Sequence, residues 1–535
     1  MISVSNAWAA ASRELLMPET HIEITYTVSE PGLQEDASTE SYNESFYART
    51  EHIVGTDADS GENYGTLEQG LFGLDGSFEY LEDEHVGGFV SENLSDENGV
   101  FDSAPKIIIN FSVLHTMMIP GLTITWSEAH GEWAEDFRIS AWADSIKMAD
   151  KTVFGNKDVS SIVWMDLEDY NRIEVEVLKW SHPYSRAKCS HIRVGLKTRF
   201  TKEDLLSYEH TQTADLLSAT LPKNSIKFAL RNETGRWNPD NPENEGKYLL
   251  DQQEIRVRYG MTLGDRIEWI QGGLFWLDEW NIPSNGLQAT FTARDELTFM
   301  NALYSGPTVG TLYEIALAAL EQADLPQLST GAERFYISPV LKEYSTDVSD
   351  GALKDMALAA VVQMVAHAGN CVLYQDRQGT IRIEPWNEKY TGYMLDESIS
   401  YTHPEYNISK PLKAVSVSYG EKGVALVKAN NLGETQTVSN PMLKTESDAL
   451  RVGERAKKIL DNRKVISGDF RADLRLDCLD AVIVTSKYAA NIIGLTSVRY
   501  STSGGAFKGQ YTGRVVSINL ESENRYSGEF YVGEI

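Results

Sequence analysis

The chain has 535 residues, too many for one hydrophobic core and enough for about three to five domains. A hydrophobic share of 42%, with 11 Trp and 25 Tyr, is that of a folded protein and excludes extensive disorder. Lys and Arg number 48 against 78 Asp and Glu, and the net charge of −30 repels phosphate backbones, which argues against nucleic acid as the main partner.

Cys189, Cys371 and Cys478 lie far apart with no C-x-x-C pair, so neither a disulfide framework nor a zinc site is expected, and assembly in a reducing cytosol fits. No apolar run approaches the roughly 18 residues of a membrane span. The N-terminal stretch lacks a basic region followed by an apolar core, so no secretory signal is expected either.

In chain order, Asn6–Leu16 reads as a short helix, which Pro18 ends before the alternating strand His21–Val28. That strand has no neighbour nearby and is expected to join the sheet of a later stretch, 224–302. Residues 29–104 are acidic and rich in Gly, Ser, Asn and Asp, with strand-like pieces at Asn63–Leu67 and Phe72–Phe78. The cluster Glu79, Glu82, Asp83, Glu84 lacks the alternating carboxylates and turn glycine of a calcium loop and reads as a solvated surface.

Between 105 and 215 five strand candidates occur without helices: Lys106–Phe111, Gly121–Trp126, Asp136–Trp142, Arg172–Trp180 and Ser190–Val194. This spacing indicates a β-sandwich. Trp126, Trp142 and Trp180 fall within or at the ends of strands, where core packing is the commoner fate, although a flat indole also suits the face of a sugar. Trp133, in the turn-like GEWAED, is the candidate for exposed sugar stacking. Thr201–Leu217 carries helix-favouring residues.

The stretch 224–302 is dense in strand and turn signals. Ser225–Leu230, Glu254–Tyr259, Arg266–Ile270, Leu274–Trp280 and Leu287–Thr292 alternate, separated by Gly235, Gly264-Asp265, Gly272-Gly273 and Asn285-Gly286. Strands this close pair antiparallel in a compact sheet or small barrel. Trp237, Trp269, Trp276 and Trp280 are expected to stabilise it or to project into an interface.

After Gly306-Pro307 the period becomes helical, with Leu312, Ile315, Ala316, Ala319 and Leu320 on one face. A second helix is expected over Gly351–His367, capped by Ser349 or Asp350, followed by a hairpin through Cys371–Gln375 and Thr380–Glu384. Pro411–Tyr419 begins a further β-rich part. An amphipathic helix over about 447–462 carries Arg451, Arg455, Lys457 and Lys458, a stripe that faces either solvent or an acidic neighbour. Asp469–Leu474, Ala481–Thr485, Ile492–Tyr500 and Gln510–Leu520 read as strands.

The order I-x-F-x-L-x-N-x-x-G-R-W-N-P from Ile226, V-R-Y-G from Val257, E-W-I-x-G-G-L-F-W-L-x-E-W from Glu268 and F-T-A-R-D from Phe291 resembles the tail hub, or baseplate-tip, proteins of bacteriophages and prophages of Gram-positive bacteria. G-N-C-V-L-Y-Q-D-R-Q-G-T-I-R-I-E-P from Gly369 is similar to the hub's middle domain. S-N-P-M-L from Ser439, F-R-A-D-L from Phe470, L-D-A-V-I-V from Leu479 and G-x-V-V-S-I from Gly513 resemble its second barrel. V-L-K-W-S-H-P-Y-S-R-A-K-C-S-H-I-R-V-G from Val177 resembles the closing strands of discoidin-like and carbohydrate-binding jelly rolls.

The resemblance implies a multidomain, mainly β fold with an α+β part: two hub-type β-barrels plus an inserted jelly-roll β-sandwich. The expected division is a discontinuous first barrel over 1–28 and 216–305, an acidic insertion over 29–104, the jelly roll over 105–215, an α+β middle domain over 306–408 and a second barrel over 409–535. It further implies a homotrimer at the virion's tail tip, assembled in the bacterial cytoplasm. Its partners would be a hexameric distal tail-tube ring protein and the tape measure C-terminus. A spike, fibre or receptor-binding protein and cell-wall carbohydrate are further partners it allows, with DNA only in transit. The alternative function is recognition of host-surface carbohydrate.

No motif carries a reaction. G-x-S-x-G, H-E-x-x-H, G-x-x-x-x-G-K-[ST] and G-x-G-x-x-G are absent. His182 and His191 are the nearest approach to a metal pair and read as structural. The chain ends at Ile535, soon after the expected second barrel, leaving no room for a wall-degrading domain. No catalytic, cofactor-binding or metal residue is expected, and Trp133 is the one candidate site residue.

Overall fold

In a computed structural model, residues 1–520 are described apart from 15–17, 29–32, 34–35, 46–47, 51–52, 55–87, 128–129, 239, 242–245, 250, 265, 284–285, 326–332, 349–350, 388–389, 486–489 and 504. The strand-like pieces at 63–67 and 72–78, the acidic cluster at 79–84 and the caps proposed at 349–350 lie outside the described residues. The fold is mainly β and multidomain, with several sheets around separate cores.

The largest sheet has 13 strands among the described residues. One end runs Leu196–Thr201, Thr20–Val28, Glu254–Leu263, Arg266–Asn281, Gln288–Arg294, Lys223–Arg231 and Leu205–Thr213. The sheet continues through Ala490–Thr502, Lys508–Leu520, Lys464–Arg471 and Glu405–Ile408, with Ala481–Thr485 and Tyr390–Leu395 attached at the side. Thr20–Val28 pairs with Glu254–Leu263, Ile24 opposite Val257 and Tyr26 opposite Ile255. The alternation of both strands puts these four residues on one buried face. The strand sets read as two barrels are thus joined without a break, and one hydrophobic cluster runs from Ile22 through Phe228 and Phe275 to Val498 and Tyr511.

Among the described residues the insertion after Val28 builds the two-stranded antiparallel sheet of Phe89–Leu94 with Arg186–Cys189 and two larger antiparallel sheets. Ala37–Tyr42, Lys106–His115, Tyr170–Trp180, Ala134–Ala143 and Ile146–Val153 form one, and His191–Val194, Ile119–Thr125 and Ser160–Leu167 the other. Inward residues of both, such as Ile109, Ile139 and Val175 against Ile124, Val163 and Ile192, share one core. Trp126 and Trp180 lie in that core with their rings edge to face at 6.0 Å. Their indole N–H groups donate to Ser161 Oγ at 2.8 Å and Glu132 Oε2 at 3.1 Å. Trp142 is half-buried beneath the Lys147 ammonium.

α1 (Asn6–Ala11) lies against the long sheet, whereas the third core packs α2 (Leu312–Gln322), α3 (Leu358–Ala368) and α4 (Glu446–Leu460) with the short strand pair Val309–Thr311 and Ser345–Asp347 and with two three-stranded sheets. One of these is Phe335–Ile337, Ile381–Pro385 and Cys371–Gln375; the other is Gly423–Lys428, Leu412–Tyr419 and Glu434–Ser439. The second helix is shorter than expected. Asp355 adopts a left-handed φ of 62° and Ala357 is extended, so the helix starts at Leu358 rather than Gly351. The first helix stops at Ala11, with Ser12 closing it. Thr201–Leu217 is not helical: Leu205–Thr213 is a strand, because Tyr208, His210 and Gln212 alternate with Ser207, Glu209 and Thr211 between a buried and an open face.

Candidate assembly surface

Leu205–Thr213 is the seam of the long sheet. One edge pairs with Lys223–Arg231 and the other with Ala490–Thr502, Tyr208 opposite Phe228 and Thr502, His210 opposite Ile226 and Tyr500. Period 2 sends its residues to two different surfaces, and each has its own chemistry.

The inner face carries a buried polar chain. His210 is fully buried, with Nδ1 2.8 Å from the Tyr259 hydroxyl and Nε2 2.8 Å from Asn224 Oδ1. Burial lowers its pKa to about 4, so the ring is neutral. Tyr208 and Tyr259 join their hydroxyls at 2.8 Å, and burial raises both well above the ordinary phenol range. Gln212 Nε2 donates to Asp477 Oδ1 at 2.9 Å. The Arg377 Nε donates to both Asp477 oxygens at 2.9 Å, Nη1 to the Gln271 carbonyl at 2.9 Å and Nη2 to the Leu476 carbonyl at 3.1 Å. Burial alone would lower the guanidinium's pKa, but Asp477, with Tyr500 and Tyr259 around it, together more than offset that and hold the charge. A cavity of about 610 Å³ adjoins this chain, lined by Lys223, Asp295, Arg377, Trp386, Asp477 and others.

The outer face is a broad groove of about 1010 Å³. Cross-strand partners set its rows: Glu279 opposite Thr292, Thr292 opposite Lys227, Lys227 opposite Glu209, Glu209 opposite Ser501. The next row is Asn281, Thr290, Ala229 and Ser207. Trp280 and Tyr401 also line it, 40% and 55% exposed. Rows of side chains fixed on strands form a firm surface for contact with another molecule.

The two ends of the long sheet differ. Leu196–Thr201 lies against the insertion, where the Thr123 hydroxyl donates to the Gly195 carbonyl at 3.2 Å. Glu405–Ile408 at the other end is exposed at all four residues, including Tyr406 and Ile408. A terminal strand uncovered on both faces presents a ready template for pairing.

The aromatics singled out from sequence separate. Trp237 and Trp276 are buried, Trp269 is half-buried under the Arg258 guanidinium at 5.2 Å, and Trp280 lines the groove. Trp133 is half-buried at one end of the sandwich, its ring edge-on to His182 at 6.3 Å and its backbone N–H donating to Ser181 Oγ at 3.0 Å. Beside it the Lys188 ammonium and Glu132 form an ion pair at 2.9 Å, both about 5% exposed or less. His191 and His182 do not converge with a third ligand: among the described residues no three His, Cys, Asp or Glu side chains form a metal-holding group. The three cysteines are unbridged, and burial pushes every thiol up, away from nucleophilic use.

Sequence reasoning missed Arg377, Asp477, His210 and Gln212. The alternation of Tyr208, His210 and Gln212 was the available signal, whereas nothing local marks a hairpin-turn arginine as buried against a carboxylate 100 positions away.

The chain matches no family model and no curated protein. Among solved structures it is similar to the 43 kDa tail protein of prophage MuSo2 from Shewanella oneidensis, with TM-score 0.43, 12% identity and coverage of 60% of this chain and 95% of that one. The tail protein from Neisseria meningitidis MC58 gives 0.41 and 11%, covering 60% and 93%. Prophage tail protein gp18 from Listeria monocytogenes EGD-e gives 0.38 and 10%, covering 60% and 92%. Scores below 0.5 at this identity are too low to assign family or function.

Proposed function

We infer that the chain is a structural component of a phage or prophage tail, a hub that closes the distal end of the tail tube and connects it to the host-facing tip. The observation that supports this is the continuous sheet, in which two strand arrays meet at one seam and one end strand stands bare. Three copies would set six arrays around an axis, matching a hexameric tube ring on one side and a threefold tip on the other. The tape measure C-terminus and a spike or fibre are the further partners of this reading, and DNA passes only in transit. No residue is assigned a catalytic step. The test is the particle itself: light scattering and negative-stain microscopy should give three times the chain mass of 59.7 kDa and a threefold ring. A lone particle at micromolar concentration would remove the reading.

A second reading rests on Trp133. Its half-exposed ring beside His182 at the sandwich end offers a flat apolar face backed by a buried ion pair, a geometry suited to a pyranose. The full chain on an array of cell-wall glycans should then bind, and Trp133→Ala should lose that binding at least tenfold. Equal binding by both proteins, or none, counts against a sugar site there.

A further inference from the structure

The hairpin through Cys371–Gln375 and Ile381–Pro385 belongs to the α+β part, but its tip reaches into the long sheet and touches both arrays. On the first array, Arg377 donates to the Gln271 carbonyl at 2.9 Å and Gln375 Nε2 to the Leu274 carbonyl at 2.9 Å. Gln375 Oε1 accepts from the Glu296 N–H at 2.8 Å. On the second array, Arg377 takes the Asp477 carboxylate and the Leu476 carbonyl. The tip is itself stiff: Asp376 Oδ1 accepts from the N–H groups of Gln378 and Thr380 at 3.0 Å, and Gly379 takes a φ of 96° to close the turn.

In the ladder the arrays are joined through one strand, whose pairing with Ala490–Thr502 keeps an even register from Tyr208 to Thr213, while the pairings on either side of it are irregular. Tyr259 against Tyr500 and Phe507, and the N-terminal segment held by Glu268 at Ser5 and by the Arg475 carbonyl at Ile2, also cross between the arrays. Leu205–Thr213 shifts register between Leu205 and Ser207, and Ala490–Thr502 shifts at three places along its partner Lys508–Leu520. Irregular pairings on both sides of the join bend and twist the sheet there. Inner and outer faces are the two sides of the same strand, so a bend that opens one side closes the other.

We propose that the Arg377 tip is a pin: by bridging Gln271 and Asp477 across the seam it fixes the angle between the two arrays, and thereby the width of the outer groove. The α+β part then governs the shape of a surface it does not touch. This holds whichever molecule covers the groove. The guanidinium is suited to the task because its planar fork serves three acceptors at once, which a lysine ammonium on a flexible stem does not reproduce. Asp477 is 25% exposed where Arg377 is 4% exposed, so the carboxylate side is the one from which the pin can be released.

The test is hydrogen exchange of the full chain with Arg377→Met. Exchange should quicken about tenfold or more in peptides covering Leu205–Thr213 and Ala490–Thr502, and stay within about twofold in Thr20–Val28 and α2. Lys188→Met, which breaks a buried pair in the distant sandwich, should leave the seam at the wild-type rate. Seam exchange equal to wild type, or one uniform increase throughout the chain, would overturn the proposal. Should Arg377→Met not fold, Arg377→Lys keeps the charge without the fork. Its seam should exchange faster than wild type, and an unchanged rate would count equally against the pin. Spin labels at Thr290→Cys and Ser503→Cys, across the groove, should give a broader distance distribution in the variant than in its parent; equal widths contradict the coupling.

Discussion

At the scale of single residues, the molecule hides several titratable groups, and their pKa directions give its pH response a definite sign. Burial lowers His210 and His367 from an ordinary 6.5 to about 4, so both rings stay neutral in the fold until pH falls to about 4. The stability they contribute is complete above pH 6.5 and is lost as pH falls through 4. Asp295 works oppositely. Burial raises it from 3.8 to about 7, so its contribution is complete at low pH and is lost as pH rises through 7. Between pH 6.5 and 4 unfolding therefore takes up two protons here and releases one, and acidification weakens the fold by about 1.4 kcal/mol per pH unit from these three groups. His210→Gln removes one of the two uptakes. Its unfolding free energy should be lower at pH 7, by about 1–3 kcal/mol for the disturbed hydrogen bonds, yet fall less steeply toward pH 4.5 than that of wild type. Parallel pH curves for the two proteins would show that His210 is already charged in the fold.

At the scale of elements, α4 shows how a helix is fixed by both its ends and its neighbours. Thr445 and Asp448 form a reciprocal capping box at its start. Ala449, Val452 and Ala456 face the sheet around Leu412–Tyr419, and Gly453 lets the two approach closely. A Cβ on Gly453 would lie 2.7 Å from one Val427 methyl and 3.2 Å from a Val417 methyl. Gly453→Ala should therefore lose up to about 2 kcal/mol net, overpacking outweighing the gain of about 1 kcal/mol in helix propensity. Adding Val427→Ala should recover part of the loss in thermal unfolding; a Gly453→Ala protein more stable than wild type would refute the close contact. The basic stripe of α4 is divided. Arg451 donates to the Ala368 carbonyl at 2.8 Å and lies 3.7 Å from the centre of the Tyr344 ring, and Arg455 donates to the Leu216 carbonyl at 2.9 Å. Arg451 binds the rest of the α+β core and Arg455 the segment that follows the seam strand, which a sequence pattern of positive charge does not distinguish from a solvated face. Legibility follows the same line elsewhere. Glu254–Leu263 and Gln288–Arg294 were readable because one face is buried, one is open and turns separate them. Ile146–Val153 was not, since it is open at nearly every position and leaves no alternation. The seam network joins residues from six separated segments, and no local pattern carries that.

At the scale of the whole molecule, charge and bare edges govern association. A net charge of −30 keeps copies apart at low salt, so assembly needs directional contacts that outweigh repulsion, and raising ionic strength should favour it. If Glu405–Ile408 is the pairing strand in a ring, then Tyr406→Lys with Ile408→Lys should abolish the trimer and leave the monomer's melting nearly unchanged, because both side chains are already exposed. An intact trimer would move the contact elsewhere on the sheet.

One register pair has a consequence for how such a chain can vary. Val28 stands directly opposite Leu196, so the polypeptide leaves the long sheet and returns to it at adjoining points. Everything from 29 to 195 hangs from that pair as from a socket. A two-residue hairpin turn has the geometry to bridge the gap. Lineages could therefore exchange the hanging module for another, or discard it, while the ladder beneath keeps its pairing.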